Sequence, residues 1–207
     1  MKVYPLPVGS YQTNCYILSV GERAVIVDPG DDVNKIVTYL GTNGLVPEAI
    51  LITHGHFDHI GALEEIQKQY DIDVYVHKDE VDYLTNPELN LSHRPGRGGI
   101  SMELSRLKII EEDEVVELLG QEVQTLHVPG HSLGSLVFYV KEAGFAVVGD
   151  VLFKSSIGRS DFPNGDHEQL ISGIKSKLMV LPDDTIVYPG HGGATLIGTE
   201  KRNNPFL

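Results

Sequence analysis

The stretch Thr53-His54-Gly55-His56-Phe57-Asp58-His59-Ile60-Gly61, read THGHFDHIG, places three histidines and one aspartate between positions 54 and 59. In an extended segment alternate side chains share a side, so His54 and His56 can face one metal ion, with Gly55 between them allowing a tight backbone turn. Asp58 and His59 are adjacent, point differently, and can serve a second ion. Imidazole and carboxylate donors suit zinc, iron or manganese, and the absence of thiolate rules out a Cys-rich structural finger. The stretch therefore reads as a metal site of catalytic type.

Outward from it, short runs rich in Val, Ile and Tyr predict strands at residues 14–20, 23–28, 49–53, 73–77, 123–128, 135–140, 145–149 and 185–188. Helix-period segments lie between them: DVNKIVTYLG after the cap signals Asp31 and Asp32, IGALEEIQKQY from residue 60, and EQLISGIKSKLMVL from residue 168. The class is mixed α and β. AVIVDPG, a helix and AILITHGH run in the same order as FAVVGDV, a helix and TIVYPGHG, which predicts two similar halves. His131 follows strand 123–128, Asp150 ends strand 145–149, and His191 follows strand 185–188. All sit just past the carboxyl ends of predicted strands, where functional side chains of α/β folds gather. Residues 85–106 form the one long irregular piece, expected beside the site.

Composition narrows the partners. The 207 residues suit a single domain, 1–207, and 16 basic against 29 acidic residues leave a formal charge of −13, which repels polyanions such as nucleic acid. The acidic run EEDEVVE at 111–117 reads as a solvated turn and surface face, since it lacks the glycine and alternating oxygen ligands of a calcium loop. No run approaches the roughly 18 apolar residues of a membrane span, and Pro5, Pro7 and Gly9 interrupt any signal-peptide core. The single cysteine, Cys15, sits in an apolar run and reads as a small buried hydrophobe, which suits a reducing, cytoplasmic setting. His77, His127 and His167 read as core or capping groups, and His93 lies in the irregular piece.

His54, His56, Asp58, His59, then His131, Asp150 and His191 match the pattern H-x-H-x-D-H, His, Asp, His, and the chain resembles the metallo-β-lactamase superfamily over essentially its whole length. GDVLFKSSIGRSDFPNGD at 149–166, PGHG at 189–192 and the closing NPFL are most similar to the small glyoxalase II type hydrolases. The resemblance implies an αββα sandwich of two similar halves. It also implies two divalent metal ions, zinc first and iron or manganese as alternatives. Site one would be His54, His56 and His131, site two Asp58, His59 and His191, with Asp150 bridging.

Such a pair of ions lowers the pKa of a water towards ~7 and so presents hydroxide at neutral pH, with Asp58 able to orient it or take its proton. The sequence offers no clear general acid near the motif, so a thiol leaving group, which departs as thiolate with a pKa near ~8.5, fits best. The expected substrate is a small-molecule thioester such as S-lactoylglutathione. Arg159, in SIGRSDF, occupies the place where those enzymes carry a basic residue near the thiol; the alternative reading is an ion pair with Asp161. Two-domain relatives also hold glutathione with a C-terminal helical domain that has no counterpart in this chain. The rival within the superfamily is a persulfide dioxygenase, holding one iron through residues matching His54, His131 and Asp150. Oligomeric state is not legible.

Overall fold

The computed structural model describes residues 1–93, 95 and 98–207; Arg94, Gly96 and Arg97, within the irregular piece, lie outside the described residues. The chain divides into two compact units, Met1–Ile110 and Glu111–Leu207.

The first unit carries a six-stranded sheet in sequential order: β1 (Lys2–Val8), β2 (Thr13–Val20), β3 (Arg23–Val27), β4 (Val46–Leu51), β5 (Asp73–His77) and β6 (Leu107–Ile110). The first three strands form an antiparallel meander, and from β3 onward the pairings are parallel. The helices are α1 (Val33–Thr42), α2 (Phe57–Ile60), α3 (Leu63–Tyr70) and α4 (Val81–Thr85). Ile36 and Leu40 of α1, with Leu63 and Ile66 of α3, pack with Ile17, Ile26, Ile50 and Val74 into one core. Each such fully buried aliphatic side chain contributes about 1.5–3 kcal/mol.

β1 is not visible as a strand in the sequence because of Pro5 and Pro7. It lies at the sheet edge, pairing only with β2, and two prolines spaced by two residues both turn their missing N–H to the outer side. The Pro7 carbonyl on that side accepts from the Lys35 ammonium instead of a strand. The cap signal before α1 marks its start correctly, but Asp32 does not cap the helix. It stands at φ 53 and its carboxylate accepts from the Gly9 N–H, closing the β1–β2 turn.

The second unit's sheet runs β14 (Thr195–Leu196), β13 (Ile186–Pro189), β10 (Phe145–Gly149), β9 (Leu136–Val140), β8 (Gln121–His127), β7 (Glu114–Leu118), with a separate hairpin of β11 (Leu152–Phe153) and β12 (Ser156–Ile157). Strands β7 to β10 form an antiparallel meander, and β10 pairs in parallel with β13 across α5 (His167–Gly173). The halves therefore share a topology: antiparallel meander, helix, parallel strand. Helix α6 (Ile197–Asn203) closes the chain.

Three local expectations need correction. EEDEVVE is not only a turn: Glu114–Leu118 is the edge strand β7, whose exposed Glu114 and Glu117 guard its unpaired side with charge. The helix expected from residue 60 is broken into α2 and α3, because the Ala62 N–H bonds the Pro29 carbonyl. The helix from residue 168 continues past Gly173 as a π-type turn, Ile174–Leu178. Leu170, Ile174 and Leu178 are all fully buried, and a spacing of four overshoots an α-helical turn by about 40° per step. The wider turn returns Leu178 to the buried face.

No helix among the described residues is long and apolar enough to cross a membrane. Cys15 is buried within the first core, and that burial, with the nearby Asp28 charge, pushes its thiol pKa far up, as expected of an inert hydrophobe.

Gly30 follows β3 in the turn that meets α2, and a Cβ there would stand 1.7 Å from the Asp58 carbonyl oxygen. Gly30→Ala should destabilise the protein by about 3–5 kcal/mol, as a backbone clash that no rotamer relieves. Gly41→Ala, within α1 where a Cβ meets nothing within 4 Å, should instead be neutral or stabilising by up to about 1 kcal/mol. Urea-unfolding midpoints of the two variants check both signs.

Candidate metal centre

In the first unit β3 and β4 are parallel neighbours, with Val27 opposite Leu51, so their carboxyl ends open side by side. Asp28 leaves β3 and Thr53–His56 leaves β4 at that edge. His56 remains extended, at φ −68 and ψ 147, and α2 then carries Asp58 and His59. The His54 and His56 rings meet edge to face with centroids 4.7 Å apart, and the His54 and His59 rings lie 4.1 Å apart. All three imidazoles are buried. A ring nitrogen of His54 approaches one of His56 and one of His59 within 4.8 Å, as does an Asp58 oxygen to His59.

Asp28 organises this cluster. Its Oδ1 accepts the Thr53 N–H at 2.7 Å, and its Oδ2 accepts the Thr53 hydroxyl at 2.6 Å and the His59 Nδ1–H at 2.9 Å. Since the hydroxyl proton of Thr53 goes to Asp28, its oxygen accepts from His54 Nδ1–H, 3.1 Å away. Both rings are thereby set with the proton on Nδ1 and the basic lone pair on Nε2, the form in which imidazole binds a metal. The Thr13 hydroxyl donates to Asp58 Oδ2 at 2.8 Å, orienting that carboxylate, whose Oδ2 lies 3.8 Å from His59 Nε2.

Gly55 serves a different purpose from the expected tight turn. Its φ is not positive; a Cβ there would sit 2.4 Å from Cβ of Tyr83 in α4, so close packing excludes any side chain. Its N–H donates to buried Glu80 at 2.6 Å. The irregular piece is beside the site as expected: the Asn90 carbonyl accepts from the Phe57 N–H at 2.8 Å, and the Asn90 amide ties Tyr83 to Ile100.

In the second unit the antiparallel β8–β9 pair and the parallel β10–β13 pair bring three chain segments to one sheet edge: the β8–β9 loop, the end of β10 and the end of β13. They carry His131, Asp150 and His191. Asp150 Oδ2 lies 3.7 Å from His131 Nε2 and 3.5 Å from His191 Nε2, so one oxygen faces two imidazoles. His131 donates from Nδ1 to the Arg159 carbonyl at 2.7 Å, again leaving Nε2 as the ligand atom.

Each unit thus gathers its own share of the seven expected ligands: His54, His56, Asp58 and His59 in the first, His131, Asp150 and His191 in the second. Nitrogen and carboxylate oxygen without sulfur is a donor set that fits divalent zinc, iron or manganese. The Arg159 guanidinium pairs bidentately with Asp161, both contacts at 2.9 Å, and lies 4.3 Å over the Phe162 ring. His77 caps a turn by accepting the Asp79 N–H, His127 donates to the Leu133 carbonyl, His167 meets Ser160, and His93 lies 3.5 Å from Glu88.

The sequence reading missed Thr13, Asp28, Thr53 and Glu80 as supporting groups. Asp28 satisfies the same strand-end criterion that found Asp150 and was within reach; Thr13, 45 positions from Asp58, carries no sequence signal. Because Asp28 holds two imidazoles in their ligating form, Asp28→Ala should lower divalent-metal affinity by about 10- to 100-fold. Competition with a chromophoric chelator measures this, and unchanged affinity would remove Asp28 from that role.

Comparison with known proteins agrees with this geometry. Residues 8–191 match the metallo-beta-lactamase superfamily. A probable metallo-hydrolase of Bacillus subtilis, YqgX, is 43% identical across all of this chain and 98% of its own length. The hydroxyacylglutathione hydrolase GloC of Haemophilus influenzae is 37% identical, covering 100% of this chain and 98% of the relative. Among solved structures, the B3 metallo-beta-lactamase BLEG-1 superposes with a TM-score of 0.95 at 40% identity, covering 100% of this chain and 99% of that one. TTHA1623 in a di-iron-bound form superposes with a TM-score of 0.88 at 39% identity, covering 99% and 100%. With this fold, this order of ligands and these relatives, the chain belongs to the metallo-β-lactamase superfamily and is a metallo-hydrolase of that fold.

Proposed function

We propose that the protein is a binuclear metal-dependent thioester hydrolase acting on 2-hydroxyacyl thioesters of the S-lactoylglutathione type. In this reading His54, His56 and His131 would hold one ion, Asp58, His59 and His191 would hold the other, and Asp150 would serve both. The observation that carries it is Asp150 Oδ2, 3.7 Å from His131 Nε2 and 3.5 Å from His191 Nε2, so that one carboxylate oxygen is near a histidine of each proposed ligand set. The hydroxyacylglutathione hydrolase relative supports the substrate class. Zinc is the ion the nitrogen and oxygen donors suit best, and iron is supported by the di-iron relative.

Bound divalent ions supply Lewis acidity and an activated water at neutral pH. The chain's own groups do the rest. Asp58, with Oδ2 fixed by the Thr13 hydroxyl, orients the nucleophilic water and receives its proton. Asp28 and the Arg159 carbonyl hold the imidazoles in register. A thiolate leaves without protonation, so no further acid is needed. The charge of −13 favours a small-molecule substrate over a polyanion, and the lone buried thiol of Cys15 suits the cytoplasm.

Asp150→Ala should nearly abolish thioester hydrolysis and lower total metal content, because the shared carboxylate offsets the repulsion of two cations. Metal analysis and turnover of S-lactoylglutathione check this, and full metal content with near-native turnover would remove Asp150 from the centre. His191→Ala should lose about one metal per chain and at least ~100-fold in rate. A variant that retains one iron and still consumes O₂ with a persulfide substrate would replace the hydrolase reading by the dioxygenase one. Thermal unfolding of metal-free samples controls for folding.

A further inference from the structure

β11 and β12 pair Leu152 with Ile157 and Phe153 with Ser156, so Lys154 and Ser155 alone form the hairpin tip. This two-residue tip is anchored from α6 and its C-cap. Buried Glu200 accepts the Ser155 N–H at 2.9 Å, the Thr195 hydroxyl at 2.6 Å and the Asn204 amide at 2.9 Å, and the same amide donates to the Ser156 carbonyl at 3.0 Å. A buried carboxylate with three donors is a rigid fixture, because releasing any donor leaves a charge unsatisfied. Ser155 is held at φ 58, a conformation uncommon for a residue with a side chain.

The anchored tip borders a cavity of about 450 Å³ lined by Phe153, Lys154, Ser156, His191, Gly192 and Gly193. The expected ligand His191 and Lys154 thus line one cavity. Lys154 is exposed and makes no ion pair with any described residue, whereas the Arg159 guanidinium is engaged by Asp161 on two atoms. Gly192 and Gly193 have nothing within 4 Å of a would-be Cβ, so a ligand can approach the backbone there. On a protein of net charge −13, a cationic side chain carried by an anchored hairpin beside such a cavity is a selective feature for an anionic group.

We propose that Lys154 binds a carboxylate on the thiol carrier of the thioester, making it the residue that selects carriers of the glutathione kind. This rests on the thioesterase reading and names its carrier subsite. Lys154 is a binding residue, and Glu200 and Asn204 hold the hairpin that carries it.

The test compares two thioesters with the same lactoyl group, one on glutathione and one on uncharged N-acetylcysteamine. In Lys154→Ala, the ratio of kcat/KM for the glutathione thioester to that for the uncharged one should fall about two- to fivefold, the scale of one exposed charge contact, mainly through KM. Lys154→Arg should restore the ratio and Lys154→Glu lower it further, and added salt should reduce it in the wild type but not in Lys154→Ala. An unchanged ratio, or equal losses on both carriers, would overturn the assignment. If the wild type hydrolyses neither thioester, the proposed function fails. The subsite is then judged by calorimetric binding of S-methylglutathione to the metal-loaded protein: about a two- to fivefold weakening in Lys154→Ala sustains it, and no binding or no difference overturns it.

Discussion

The carboxylate of Asp28 is the constraint on which the first ligand set depends. It is buried at the end of β3 and accepts from Thr53 twice and from His59 once. Burying a carboxylate is costly unless its lone pairs are filled, so the ends of β3 and β4 and the start of α2 are tied to one another. The same bonds fix which nitrogen of His54 and of His59 carries the proton. A parallel β3–β4 pair is what makes this possible, because only parallel neighbours end at the same edge.

The second unit solves the same problem with different chemistry. There a backbone carbonyl, that of Arg159, fixes the tautomer of His131, and the ligating carboxylate, Asp150, stands at the end of the strand that corresponds to β3. The shared topology places a carboxylate past the first strand of each parallel pair and a histidine past the second. In the first unit the carboxylate supports the ligands; in the second it faces two imidazoles itself. Three carboxyl groups, Asp28, Glu80 and Glu200, are each buried and each accept from backbone N–H or side-chain donors. They act as fixtures for loops that the hydrophobic cores cannot reach. Glu80 holds the backbone between His54 and His56, and Glu200 holds the hairpin that carries Lys154.

The sequence by itself determined the α/β class, eight of the strands, all but β4 to within one or two residues, the strand–helix–strand order repeated in each half and all seven candidate ligands. These were legible because metal donors are few in kind, and because glycine and strand-end positions mark where they can sit. Apolar patterning likewise identified Cys15 as inert. Only the tertiary structure decided that β1 forms despite Pro5 and Pro7, since whether a missing N–H matters depends on lying at a sheet edge. It decided that Gly55 is required by the approach of Tyr83 and not by backbone curvature. Of the two readings of Arg159 it took the ion pair with Asp161, and it set Lys154 in the lining of the cavity beside His191. The meetings of Gly55 with Tyr83 and of Lys154 with His191 join residues tens of positions apart. Local propensity and spacing carry no record of such meetings, because they are set by packing and by the need to fill every buried polar group.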